Sequence, residues 1–119
     1  PSPAYGRAAA RDAIKSYLAR HSAPEAIFCM NDDMAIGCYR GLCDLGLRVP
    51  RDVALVGCDG IEHTEYLETP LTTIVQPLDD MSRAAWQLLE RRLGDPGAPP
   101  QRVKLSARLA VRESSRREN

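Results

Sequence analysis

Residues 26–57 read AIFCMNDDMAIGCYRGLCDLGLRVPRDVALVG, and their hydrophobic pattern decides the fold class. Ala26-Ile27-Phe28-Cys29-Met30 is a short continuous apolar run, which predicts a strand buried on both faces. Asn31 and Asp32 follow as helix N-cap residues. Met34, Ala35, Ile36, Cys38, Tyr39, Leu42 and Cys43 then recur at helical spacing up to Gly46, a residue that ends a helix cheaply in the left-handed conformation. Pro50 and Asp52 make a turn, and Val53-Ala54-Leu55-Val56-Gly57 predicts a second apolar strand. Strand, helix and strand joined by loops of a few residues imply an α/β protein. Its sheet is parallel, with helices on both faces and right-handed crossovers.

Upstream, Ala9, Ala10, Ala13, Ile14, Tyr17 and Leu18 repeat at helical spacing, while Arg7, Arg11 and Lys15 fall on another face, so residues 6–20 read as an amphipathic helix. His21, Ser22 and Pro24 end it. Downstream, residues 60–67 can supply at most two helical turns before Pro70, and Leu71-Thr72-Thr73-Ile74-Val75 is a β-prone run. Pro77 suits the first turn of a helix, along which Leu78, Met81, Ala85, Leu88, Leu89 and Leu93 form an apolar stripe. Gly94-Asp95-Pro96-Gly97 closes that helix, and residues 94–100 are the one stretch biased enough in Gly and Pro to act as a linker. Residues 103–105 and 109–111 read as two short strands. The charged run from Arg112 to Glu118 reads as a frayed, solvated tail.

With 119 residues, the chain has room for one compact core. Sixteen basic and sixteen acidic residues cancel and are spread along the sequence, leaving no basic stripe to neutralise the phosphates of DNA. Cys29, Cys38, Cys43 and Cys58 all lie in apolar runs, where cysteine behaves as a small buried hydrophobe, and this suits a reducing cytoplasm. Cys38 and Cys43 lie five apart on the predicted helix, point to different faces, and lack zinc-ligand spacing. No apolar run reaches the length of a membrane helix, and no signal sequence opens the chain. The start Pro1-Ser2-Pro3, running straight into a helix, looks like a cut within a larger protein.

In an open parallel sheet, ligands bind beyond the carboxyl ends of the strands. Asn31 directly follows the first predicted strand, and Asp59 comes just after the second. An amide offering donors and an acceptor beside a carboxylate able to accept from two hydroxyls suits a sugar or other polyol. The same positions also suit residues that merely cap the following helices. His63 lacks the paired-histidine spacing of a zinc protease and reads as a surface residue, with His21 far away in a loop. Cys58 and His63 lie too close on one turn for a thiol nucleophile and its base, and nothing marks an oxyanion hole. Gly37, Gly41 and Gly46 sit within or at the end of a helix and form no phosphate loop. Trp86 suits packing or partner contact better than ligand stacking. These readings call for no catalytic residue, metal or cofactor.

Three motifs, CMNDDMAIG at 29–37, GLRVPRDVALVGCD at 46–59 and TPLTTIVQP at 69–77, closely resemble the lac and galactose repressor family of transcriptional regulators in order and spacing. The resemblance runs from Gly6 to the ending Val111-Arg112-Glu113-Ser114. It implies one lobe of a two-lobed, periplasmic binding protein-like core plus crossover elements of the other lobe. Residues 6–75 would form the C-terminal lobe, 76–105 the crossover helix and strand, and 106–119 the return strand and tail. By the same resemblance, Asn31, Asp59 and Gln76 match effector-contacting positions. Residues 33–46 and 62–67 match dimerisation surfaces, making Ile36, Tyr66 and Leu67 candidate interface residues. Two departures bear on the effector: Gly60 stands where a second acidic or amide residue is common, and an aromatic that often stacks on the ligand is missing or replaced near Pro1.

The implied function is a sugar-responsive repressor that senses a small-molecule effector, works as a homodimer, and touches DNA only through a helix-turn-helix domain upstream of this sequence. A periplasmic sugar-binding protein of a transport system is the alternative with the same fold and ligand chemistry. An enzyme of the same class ranks third. The stripe Leu78, Met81, Ala85 and Leu88 is expected to find cover against a second copy of the chain.

Overall fold

A computed structural model describes residues 5–116. The chain forms two compact units: the chain up to Val75 together with the segment from Leu109 onward, and Gln76–Arg108. In the first unit, helix α1 (Arg7–Leu18) is followed by strand β1 (Ala26–Phe28), helix α2 (Asp32–Asp44) and strand β2 (Ala54–Asp59). A single 3₁₀ turn, Glu62–Glu65, leads to β3 (Thr72–Val75), and β4 (Arg108–Ala110) completes a sheet of order β1-β2-β3-β4. β1 pairs with β2 in parallel, with Phe28 opposite Val56, and β2 pairs with β3 in parallel, with Val56 opposite Thr72 and Asp59 opposite Val75.

The core is built where α2 meets the sheet. Ala35, Cys38 and Leu42 of α2 pack with Val53, Leu55 and Leu71, and Ile14, Leu18 and Ile27 close around them. Complete burial of Leu42, Leu55 and Leu71 is worth roughly 1.5–3 kcal/mol for each side chain. β1 departs from the expected doubly buried strand. Ala26 and Phe28 are exposed, Phe28 at 58%, and of the run only Cys29 is buried. The cause is position, since β1 lies at the edge of the sheet, whereas β2 in the middle buries Leu55 and Gly57.

α1 lies against α2 at backbone contact. A Cβ on Gly37 would stand 2.0 Å from the Arg7 carbonyl oxygen, and one on Gly41 would stand 2.4 Å from Ile14 Cγ2. The glycines read from sequence as too deep in the helix for a phosphate loop therefore make room for a neighbouring helix. This approach brings the basic face of α1 onto the acids of α2. Arg7 Nε donates to Asp33 at 2.7 Å, Arg11 Nε donates to Asp44 at 2.5 Å, and Lys15 and Arg40 also pair with Asp44. Hydrogen bonding from Arg11 holds the Asp44 carboxyl below its ordinary range.

The predicted frayed tail is overturned for residues 112–116. Ser114 is fully buried, its Oγ accepting from Thr72 N at 2.8 Å and donating to the Leu55 carbonyl at 2.6 Å. Arg112 donates through Nη1 to the Leu71 carbonyl and Thr64 Oγ1 and through Nη2 to Glu65. The run is hydrophilic because it works as a polar latch on the sheet, saturating backbone groups that the strands leave unpaired. Residues 117 and 118, the end of that predicted tail, lie outside the described residues.

The second unit carries α3 (Leu78–Gly94) and the following segment. No residue of α3 is buried. Its apolar side chains Leu78, Met81, Trp86, Leu89 and Leu93 are exposed, while Leu88 is partly covered. The expected strand at 103–105 does not form, and Val103 and Leu105 are exposed. Short apolar alternation becomes a strand only beside a second edge with which to exchange hydrogen bonds, and none of the described residues supplies that edge here. Asp95 begins a tight turn in which Gly97 N donates to its Oδ1 and Ala98 N to its carbonyl, so the Gly/Pro-rich stretch is locally ordered.

Of the cysteines, Cys29 and Cys38 are buried as expected, but Cys43 is exposed and Cys58 only partly covered. Cys38 and Cys43 do face different environments, five residues apart on one helix. A hydrogen bond to Cys29, aided by burial, pushes the Cys38 thiol far up.

Candidate functional site

Asn31 ends the turn after β1 in extended conformation and caps α2, its Oδ1 accepting from Met34 N at 2.7 Å. Its amide nitrogen lies 3.4 Å from the Tyr5 carbonyl oxygen. The capping role weighed in the sequence is therefore real, and it orients the amide NH₂ group rather than excluding it from recognition.

Asp59 is the last residue of β2, partly exposed, with φ of 125°. A non-glycine residue in that region stores strain of about 1–3 kcal/mol, a cost found where a backbone is forced to aim a side chain. Gly60 follows with φ of 77°, and a Cβ there would stand 2.8 Å from Val75 Cα. In this chain the second acidic or amide residue common in the family has no space.

Asp32, which the sequence offered only as a cap, is the group that brings the rim together. It is fully buried at the first turn of α2. Its Oδ2 accepts from Gly60 N at 2.7 Å and Ile61 N at 2.9 Å, and its Oδ1 accepts from Thr73 Oγ1 at 2.6 Å. Asn31 precedes Asp32 and Asp59 precedes Gly60, so this bond ties the turn after β1 to the loop after β2 at the carboxyl end of the sheet. Gly57 is part of the same arrangement, because a Cβ there would stand 2.3 Å from Asp32 Oδ1. A buried carboxylate demands several donors, but nothing in one sequence distinguishes such a residue from an ordinary solvent-facing N-cap. Tyr5, 72% exposed with its backbone beside Asn31, is a second feature the sequence reading passed over.

Gln76 is the first residue of the second unit and directly follows Val75, the register partner of Asp59. Cys58 neighbours the rim, and its thiol is pushed up by burial and by the charges of Asp59 and Asp32, the opposite of what activates a nucleophile. His63 and His21 are exposed, the latter stacked on Tyr17 with ring centroids 4.5 Å apart. Among the described residues no cluster of His, Cys, Asp or Glu is arranged to hold a metal ion. The candidate interface residues differ in exposure. Tyr66 is 74% exposed and Leu67 is partly buried against the core, whereas Ile36 is already 9% exposed within its own chain.

Residues 1–115 match the model of the periplasmic binding protein-like domain. The chain belongs to the periplasmic binding protein-like domain family. Within this family it is 38% identical over 87% of its length to the ribose operon repressor of Escherichia coli K12. It is also 38% identical over 92% of its length to the HTH-type transcriptional repressor PurR of Vibrio vulnificus. It spans 32% of each of those proteins, so about a third of their length. Among solved structures, a LacI family transcriptional regulator from Arthrobacter sp. FB24 in complex with lactose superposes with a TM-score of 0.85 at 37% identity, covering 93% of this chain and 42% of that one. This periplasmic binding protein-like domain is thus similar to regulators of the lac repressor family in both sequence and fold.

Proposed function

We propose that this chain is the effector-sensing, dimerising part of a sugar-responsive bacterial transcriptional repressor. The observation that carries the reading is the bond from Gly60 N to Asp32, which links the residues next in the chain to Asp59 and Asn31. An amide and a carboxylate side by side match the donors and acceptors of vicinal hydroxyls, and each charge-assisted bond contributes about 1.5–3 kcal/mol. Residues 6–75 with 106–119 serve as the C-terminal lobe and its return, and residues 76–105 belong to the opposing lobe, contributing Gln76 to the effector. Closure of two lobes on the sugar shifts the relation between DNA-reading domains, provided the sugar binds the closed arrangement more tightly than the open one. Tyr66 and Leu67 serve the homodimer. Ile36, the third candidate, is buried within its own chain.

Similarity to repressors supports this reading over a transport carrier, and on it the protein works in the cytoplasm. No helix among the described residues is long and apolar enough to cross a membrane. Calorimetric titration of the full-length protein with ribose and with lactose, alongside an Asp59→Ala variant, tests it. Saturable binding of one sugar, lost in the variant, is expected. Equal binding by both proteins, or no binding of either sugar, overturns the assignment.

A further inference from the structure

Arg112 stands two residues beyond β4, where the chain returns to the sheet, yet its guanidinium reaches the 3₁₀ turn Glu62–Glu65. Nη1 donates to the Thr64 hydroxyl at 3.1 Å and to the Leu71 carbonyl at 2.9 Å, and Nη2 donates to the Glu65 carboxylate. Tyr66 and Leu67, the proposed homodimer residues, come next in the chain. We propose that Arg112 is the positioning residue of the homodimer surface: it holds the turn against the sheet and so sets the place from which Tyr66 and Leu67 meet a second copy. The inference rests on the reading of residues 62–67 as a dimer surface and goes beyond it by naming what fixes that surface.

A short 3₁₀ turn holds its own position poorly, because its hydrogen bonds are few and badly aligned. Within this one, Thr64 N donates to the Ile61 carbonyl and Tyr66 N to the His63 carbonyl, which gives the turn its shape but not its place. Placement comes from outside. Asp32 holds the entry through Gly60 N and Ile61 N, and Leu71 N donates to the Thr64 carbonyl at 2.9 Å. Arg112 adds a hold at the exit, next to Tyr66. Thr64 is fully buried and its hydroxyl donates onward to the Ile61 carbonyl at 2.6 Å, while Glu65 is exposed. One guanidinium therefore grips both the inner and the outer side of the turn. Arg112 is itself fixed to β3, its N donating to Thr72 Oγ1 at 2.8 Å and its carbonyl accepting from the same hydroxyl at 3.1 Å. Its side chain is only 18% exposed, a burial that a guanidinium tolerates where several acceptors meet it. Beside this socket Tyr66 is exposed and Leu67 packs on the core, and an open tyrosine on a fixed support is the kind of residue that anchors an interface between proteins.

Ser114 makes positioning separable from mere stability. It belongs to the same latch, but its bonds go to backbone groups of Leu55, Pro70 and Thr72 and not to the turn. Sedimentation of the full-length protein, at a temperature where circular dichroism shows every variant folded, reads the dimer dissociation constant. That constant should rise at least about tenfold in Arg112→Met and stay within about twofold of wild type in Ser114→Ala. Tyr66→Ala should also weaken the dimer at least about tenfold. Adding Arg112→Met to it should cost no more than about threefold further, because a displaced turn can lose the tyrosine contact only once. Should Arg112→Met not fold, Arg112→Lys decides: a single ammonium keeps the charge beside Glu65 but cannot also span Thr64 and the Leu71 carbonyl, and at least about fivefold weakening is expected. Equal weakening in the Arg112 variant and Ser114→Ala, full additivity with Tyr66→Ala, or an unchanged dimer in the Arg112 variant overturns the positioning role while leaving the dimer surface. An unchanged dimer in Tyr66→Ala, or a monomeric full-length protein, removes the dimer surface and the positioning role with it.

Discussion

α2 and α3 are both amphipathic and of similar length, yet α2 buries Ala35, Cys38 and Leu42 while α3 buries nothing. Leu42 and Leu89 are the same residue type in the same kind of repeat, one without solvent contact and the other half exposed. Periodicity gives a helix an apolar face, and a partner surface decides whether that face is worth anything. α2 has the sheet and α1 on either side, whereas the unit from Gln76 to Arg108 has among the described residues no second layer of its own.

The largest test of the contrast is a pair of truncations. Leu55→Ala, in the middle of the sheet, should destabilise the protein by about 2–5 kcal/mol, and Leu89→Ala in α3 by less than about 0.5 kcal/mol in the 119-residue chain. Urea unfolding reads both, and similar losses would erase the distinction between the two units. Next comes the polar latch. Ser114→Ala strands the buried Leu55 carbonyl and Thr72 N–H, a loss of about 1–3 kcal/mol, and a thermal midpoint equal to wild type would return residues 112–116 to the status of a tail.

Gly37→Ala probes the seam between α1 and α2. With a backbone oxygen in the way, the helices must separate, at about 1–3 kcal/mol, and an unchanged midpoint would deny the close crossing. The seam also carries a pH signature. Asp44 holds its proton less readily folded than unfolded, because Arg11 favours the charged form. Its stabilisation is therefore complete above the ordinary aspartate range and is lost as pH falls through the lower folded value. An Asp44→Asn variant should show a shallower decline in that acid window, and identical acid profiles would remove the seam as its source. The smallest effect concerns α3. Trp86, the one tryptophan of the chain and 61% exposed, should shift its fluorescence to the blue as concentration rises if the stripe finds a second copy. Emission independent of concentration would show the face staying open.

Much of the fold was legible because hydrophobic periodicity and punctuation act locally. Asn31 caps α2 as its side-chain chemistry demands, Gly46 turns left-handed after that helix with φ of 73°, and Val53 to Gly57 lies within or beside the central strand. Asn31 and Asp59 were legible as rim residues because parallel strands deliver their carboxyl ends to one edge, and the pairing of Phe28 with Val56 brings the residues after β1 level with the end of β2. Phe28 and residues 103–105 misled because apolar content does not say how many neighbours a strand will have. The run from Arg112 misled for the converse reason, its polarity matching backbone groups of β2 and β3 that lie about forty to sixty residues earlier.

By itself, then, the sequence determined the three helices, the strands β1 to β3 and the two polar residues that follow β1 and end β2, since hydrophobic periodicity and punctuation act among near neighbours along the chain. Only the tertiary structure decided that Asp32 is a buried clamp and not a surface cap, that Gly37, Gly41 and Gly57 are spaces claimed by Arg7, Ile14 and Asp32, and that Ser114 belongs to the core. Those outcomes depend on which distant donor, acceptor or backbone arrives within hydrogen-bonding or van der Waals reach. That meeting is made by folding and carries no mark at either residue alone.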